Sequence, residues 1–276
     1  MPDWLVWPGL ILLGVGVGAY GALIGAGGGF LLVPLLIILY PEFEPEVLTS
    51  ISLAVVLATA VSGTAAYSRQ KRIDYVAGGL LAAATLPGAI GGALLVRRIH
   101  GDAFEIAFAV LLLVVAFWLL LPRPNRVLVS RVPPRYLRRM ITDAQNDTYA
   151  YSFDPWLAVL LALVVGVISS LFGVGGGIFF VPAMVLVMRF PAYIAVATST
   201  FVLMFTAGTG ATVHLVDGSY AGVEAETVAL ALGTVIGGQV GARVSVHLVH
   251  RQHLVLRLLS GALVLVSLRQ LIAALT

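Results

Sequence analysis

The chain of 276 residues contains no cysteine, which excludes disulfides and thiolate metal sites. Charge is scarce too. Asp, Glu, Lys and Arg make up 11% of the residues, against about 25% in an average soluble domain. The stretches Trp4–Tyr40, Val47–Ser68, Tyr75–Val96, Ile106–Pro122, Pro155–Met188, Phe190–Val216 and Thr227–Ala242 carry none of the four. No basic segment or small-residue cleavage site follows Met1-Pro2-Asp3-Trp4, so a removable signal peptide is not expected. Neither glycine-rich stretch is followed by the Lys-Ser/Thr of a nucleotide-binding loop, and no nucleophile–base constellation stands out. Neither an enzyme nor a cofactor is therefore expected.

Apolar residues fill the space that charge leaves, at 60% of the chain and a mean hydropathy of +1.03. A helix needs about 20 apolar residues to span the hydrocarbon. The composition therefore predicts an all-α polytopic membrane protein, with the lipid bilayer as its first partner. The net charge of +3 resides mostly in loops, and nucleic-acid binding is not expected.

One glycine phrase occurs twice. Gly25-Ala26-Gly27-Gly28-Gly29 is followed after four residues by Pro34, and Gly173-Val174-Gly175-Gly176-Gly177 after four residues by Pro182. The copies lie 148 residues apart throughout. A glycine cluster within membrane-length apolar sequence breaks a helix where the bilayer penalises breaking it, so the freed backbone is expected to line a cavity or a site.

The rest of the chain divides around that duplication. Residues 1–121 and 155–276 read as two membrane repeats, joined by an Arg- and Pro-rich linker at 122–154 that the positive-inside rule places in the cytoplasm. Each repeat holds five hydrophobic elements: 4–24, 29–40, 47–68, 75–96 and 104–121, then 155–172, 177–188, 192–215, 221–242 and 254–273. String matches pair Thr49-Ser50 with Thr198-Ser199, Gly63-Thr64 with Gly208-Thr209, and Tyr75 with Tyr220. They also pair Ile90-Gly91-Gly92 and Arg97 with Ile236-Gly237-Gly238 and Arg243, which aligns Gln239 with Ala93. If all ten elements cross, twelve Lys and Arg fall inside and only Arg97 and Arg98 outside. Five crossings per half would make the halves an inverted repeat, an arrangement common in secondary transporters.

The duplicated G-x-G-G-G…P unit, the run Ala195-Val196-Ala197-Thr198-Ser199 and a second Gly-rich helix in each half resemble the TauE/SafE family of sulfite exporters and toxic-anion permeases. The resemblance covers nearly the whole chain outside the linker, although the first half reads Leu48-Thr49-Ser50-Ile51-Ser52 without the alanine-rich lead-in. It implies a secondary transporter in the bacterial inner membrane that exports sulfite or an organosulfonate. A transporter or channel for another small solute is the alternative, and a homodimer is left open as the assembly.

An oxyanion leaving water needs hydrogen-bond donors that do not hold it as a fixed charge would. Helix N-termini supply them, and glycine lets the backbone come close. Gly27, Gly28 and Gly29 and their counterparts Gly175, Gly176 and Gly177 are therefore the candidate substrate site. Thr49, Ser50, Thr198 and Ser199 are candidate hydroxyl donors, and Gln239 a candidate contact within an apolar helix. His214 is a candidate proton carrier. Arg97 and Arg243 are candidate gating residues at the two mouths. His247, His250 and His253 share a helical stripe but have no carboxylate beside them, so metal binding is not expected.

Overall fold

A computed structural model describes residues 3–120 and 136–245, together with positions 264, 267 and 268. Readings placed on 121–135, on His247, His250 and His253, and on the rest of the element at 254–273 lie outside the described residues.

The first half comprises α1 (Asp3–Ile24), α2 (Gly29–Leu39), α3 (Pro45–Arg69), α4 (Tyr75–Val96) and α5 (Gly101–Leu120). The second comprises α6 (Pro155–Phe172), α7 (Gly177–Pro182), α8 (Ala192–Val216) and α9 (Glu224–Val244). α7 continues as a π-helical turn, Ala183–Val187, and the combined apolar helix Gly177–Val187 is as short as α2. Six helices among the described residues are long and apolar enough to cross a membrane: α3, α4, α6, α8, α9 and the stretch Val6–Ile24 of α1. The chain is a multi-pass membrane protein.

Local chemistry sets the boundaries. Asp74 accepts hydrogen bonds from the N–H groups of Val76 and Ala77 to start α4, and Asp154 caps α6 through Trp156 N–H. Pro45 and Pro155 occupy first-turn positions, where the missing N–H costs nothing. At both glycine phrases the chain turns through the left-handed region. Gly25, Gly27 and Gly28 have φ of 73°, 77° and 86°, and Gly173, Gly175 and Gly176 have 66°, 80° and 75°. A side chain at such a position costs roughly 1–2 kcal/mol.

Each short helix returns to the end from which the preceding long helix set out. Leu10 of α1, Leu36 of α2, Leu48 of α3 and Leu230 of α9 share one apolar cluster. Ala158 of α6, Met188 beyond the π turn, Ile194 of α8 and Leu81 of α4 share another. α3 starts at the first cluster and α8 at the second, so the two helices run in opposite directions.

Helix contacts repeat between the halves and reset their alignment. A Cβ on Gly237 or Gly241 of α9 would strike the carbonyl of Val15 or Ala19 in α1. One on Gly88 or Gly92 of α4 would strike that of Leu163 or Val167 in α6. Since Val15 and Ala19 precede Leu163 and Val167 by 148, α4 matches α9 at an offset of 149 rather than the 146 of the Ile-Gly-Gly strings. Likewise Gly63 meets Thr200 and Ala22, while Gly210 meets Leu53 and Ser170, so α3 matches α8 at 147. Thr49-Ser50 is therefore not the counterpart of Thr198-Ser199, nor Gly63-Thr64 of Gly208-Thr209. Tyr75 opens α4 whereas Tyr220 lies in the turn before α9, so that pairing fails as well.

The linker adds the one β-structure among the described residues. β1 (Leu137–Thr142) and β2 (Thr148–Phe153) form an antiparallel hairpin with Arg139 opposite Tyr151. Its turn is held by Asp143, whose Oδ1 accepts from the N–H groups of Gln145 and Asp147. Tyr151 and Phe153 pack on Phe190, with ring centres 4.4 and 5.2 Å away. This part of the linker is docked structure, where the Arg- and Pro-rich composition suggested only a solvated connection.

Candidate functional site

The two glycine phrases meet backbone to backbone. A Cβ on Gly29 would strike the Gly173 carbonyl, and one on Gly177 would strike the Gly25 carbonyl, the same contact with the halves exchanged. Two seryl hydroxyls clasp those carbonyls. Ser52 donates to Gly173 at 2.6 Å and Ser199 donates to Gly25 at 2.9 Å. Ser52 follows from the 147 offset as the counterpart of Ser199, but the string matches had selected Ser50.

Gly28 and Gly176 are the left-handed N-caps of α2 and α7. The N–H groups of Gly28, Gly29 and Phe30, and of Gly175, Gly176 and Gly177, find no backbone acceptor among the described hydrogen bonds. Beside Gly176, the Ser169 hydroxyl is buried and has no partner among the described residues. Donors thus face inward from both short helices. The side chains around them are apolar: Val56 packs on Gly27, Gly29 and Gly175, and Leu203 on Gly27 and Gly177. Neither side chain carries a polar atom, so nothing in the sequence marks these two positions.

The remaining candidates lie apart from this crossing. Thr198 Oγ1 accepts the Asp74 N–H at 3.0 Å at the hairpin end. Thr49 packs its backbone on Gly173 but donates its hydroxyl to the Glu46 carbonyl. Ser50 donates to the Val47 carbonyl, and its own carbonyl accepts Tyr220 Oη–H at 3.0 Å. Gln239 Nε2 donates to the Ser62 carbonyl at 2.7 Å, tying α9 to α3; at the offset of 149 its counterpart is Ile90 rather than Ala93.

Arg97 and Arg243 are not equivalent positions. Arg243 corresponds to Leu94 and is exposed, whereas Arg97 bridges Glu46, at 3.2 Å, and Asp217. His214 joins the same network. It is fully buried, with Nδ1 3.3 Å from Ser219 Oγ, which donates to Glu46 Oε1 at 2.6 Å. The Nε2 atom of His214 has no partner among the described residues. Glu46, Asp217 and Ser219 thus complete a polar closure at the end opposite the hairpin.

At the hairpin end the corresponding closure is built around Asp74. Arg139 donates to both carboxylate oxygens at 2.8 Å, and Tyr151 Oη–H donates at 2.6 Å. Burial pushes this carboxyl up, but these bonds and the Ala77 N–H outweigh burial and hold it below the usual aspartate value. Burial and the neighbouring Asp74 raise the Tyr151 phenol.

Among known proteins, the family model described as "Sulfite exporter TauE/SafE" matches residues 10–270. The chain is 33% identical to the probable membrane transporter protein YunE of Bacillus subtilis, over 86% of this chain and 87% of that one. It is 28% identical to YjnA, a probable membrane transporter protein of the same organism, over 86% and 89%. Identity to the probable membrane transporter protein MJ0441 of Methanocaldococcus jannaschii is 26%, over 73% and 70%. No solved structure matches the chain.

Proposed function

The chain belongs to the sulfite exporter TauE/SafE family of membrane transporters, and from that premise we propose that it carries a small sulfur oxyanion, sulfite or an organosulfonate, outward across the cytoplasmic membrane. The observation behind this reading is the meeting of two buried helix starts whose N–H groups have no backbone acceptor among the described residues, with the Ser169 hydroxyl, likewise without a described partner, beside them. Such donors stabilise an anion without a formal counter-charge, so they bind it and still let it leave. Ser199 and its counterpart Ser52 position the glycine carbonyls and so aim these helix starts. Thr198, Thr49, Ser50 and Gln239 then serve the frame rather than the substrate.

The two halves function in this reading as an inverted repeat. α1 and α2 enter from one end and α6 and α7 from the other, with the hairpin on the cytoplasmic side. The crossing is occluded by Val56 and Leu203, so the anion is admitted when the halves rotate and one end opens. The networks around Asp74 and around Arg97 close the two ends in turn, and His214 is the residue placed to link opening to protonation.

Proteoliposomes loaded with sulfite or methanesulfonate test this directly. Saturable efflux is expected from the parent protein, and its loss from folded Gly28→Leu and Gly176→Leu variants. Equal efflux from both variants would remove the crossing as the binding site. Large non-saturating currents would replace the carrier with a channel.

A further inference from the structure

Arg72 lies in the turn between α3 and α4 and is 1% exposed, the one buried Arg or Lys among the described residues. Its guanidinium carbon sits 3.1 Å from the centre of the Tyr193 ring. Tyr149 of the hairpin stacks on that ring in turn, at 6.0 Å and 29°. The side chain is thus held flat beneath the hairpin. Its Nε and Nη2 atoms are buried and have no hydrogen-bond partner among the described residues.

A desolvated guanidinium with two empty donors is strongly unfavourable unless something accepts from it. Among the described residues, none does. Asp74, two residues along, is taken by Arg139 and Tyr151. Asp143 lies within electrostatic reach, but its Oδ1 is engaged by the hairpin turn. The ring of Tyr193 lies against the guanidinium and takes neither of these N–H groups. Burial lowers the Arg72 pKa to about 10, which leaves it cationic at neutral pH.

The empty edge has a specific chemistry. Nε and Nη2 of an arginine present two parallel N–H groups that fit two oxygens of one anion. Arg139 uses this same pair of atoms to hold the two oxygens of Asp74. We propose that Arg72 is an anion-capture site under the hairpin, taking two oxygens of a small oxyanion or of a lipid phosphate on its Nε and Nη2 edge. With the transport reading above supplying its ligand, Arg72 is the first station for a sulfur oxyanion arriving at the hairpin end.

The test is calorimetric titration of sulfite and methanesulfonate into the full-length protein in phosphatidylcholine nanodiscs. Arg72→Gln and Arg72→Lys are each expected to weaken binding about tenfold or more. The anion-free melting temperature of Arg72→Gln should not fall, because an unpaired buried charge is removed. Gly176→Leu separates the two readings: if it binds as the parent does while Arg72→Gln does not, the glycine crossing fails as the site and Arg72 stands. If the parent binds neither solute but phosphatidylglycerol stabilises it and not Arg72→Gln, the ligand is a lipid phosphate and the capture site again stands. Parent-like binding by Arg72→Gln, no response of the parent to any of these anions, or failure of both variants to fold would overturn the assignment.

Discussion

Arg139 and Asp74, on the hairpin and at the start of α4, face each other through two hydrogen bonds of 2.8 Å, and the carboxylate they share is fully buried. The pair is the latch that docks the hairpin. Arg139→Ala is expected to cost about 1.5–3 kcal/mol, the usual worth of hydrogen bonds to a charged group. The loss should be local. Faster hydrogen exchange across Leu137–Phe153 with unchanged exchange in α1 and α9 would show it, and uniform acceleration would contradict it.

The same latch has a pH dependence of defined sign. Because Asp74 has a lower pKa in the folded protein than an ordinary aspartate, its contribution is complete above the usual aspartate pKa. That contribution fades as pH falls through the depressed folded value. Acid should therefore release the hairpin of the parent, and Asp74→Asn should be released already at neutral pH and respond less to acid. Protease nicking within the hairpin, followed against pH, measures this.

Neighbouring glycines of α4 should respond oppositely to the same change. A Cβ on Gly91 meets nothing within 4 Å, while one on Gly92 would strike the Val167 carbonyl of α6. Gly91→Ala should be neutral or stabilising by up to about 1 kcal/mol, from helix propensity alone. Gly92→Ala should destabilise by roughly 1–3 kcal/mol through overpacking. Melting temperatures in one detergent decide it.

Ser52→Ala and Ser199→Ala should behave alike, each leaving a buried glycine carbonyl short of its donor. The expected cost is about 1–3 kcal/mol apiece. Ser50→Ala, whose hydroxyl turns back to Val47 in its own helix, should cost less. A large Ser50 effect with a small Ser52 effect would restore the offset of 149 between α3 and α8.

At the opposite end, Arg97→Gln removes partly exposed ion pairs to Glu46 and Asp217. Such pairs contribute roughly 0.2–1 kcal/mol. Stability should barely change, whereas transport should change measurably because that end loses its closure. Unaltered efflux kinetics would remove Arg97 from gating.

The glycine phrases were legible because breaking a membrane helix requires a run of glycines, and such a run is conspicuous in apolar sequence. Nine described helices start and end within a few residues of the hydrophobic stretches, because charged residues gather between those stretches and at their edges. The pairing of the halves was less legible. α3, α4, α8 and α9 are rich in Thr, Ser, Gly and Ala, so short strings match in several registers, and only the carbonyls that face each glycine distinguish them. Two other features were masked by composition. Alternating Tyr149, Tyr151 and Phe153 announce a strand, but the arginines and prolines before them read as solvated linker. Arg72 counted as one loop charge among several, and nothing in its sequence neighbours reveals burial beneath a segment 77 residues further on, at Tyr149.

At the crossing, Gly25 meets Gly177 and Gly29 meets Gly173 with no side chain between them. Peptide groups are stiff, and no rotamer can rearrange to let the halves slide closer or apart there. In the rotation proposed above, that point is the fulcrum. A rotation of one half about it leaves the centre nearly still and moves the ends furthest, since displacement grows with distance from the pivot. The long arms of that lever end at Asp74 and at Arg97, where polar side chains close the two ends.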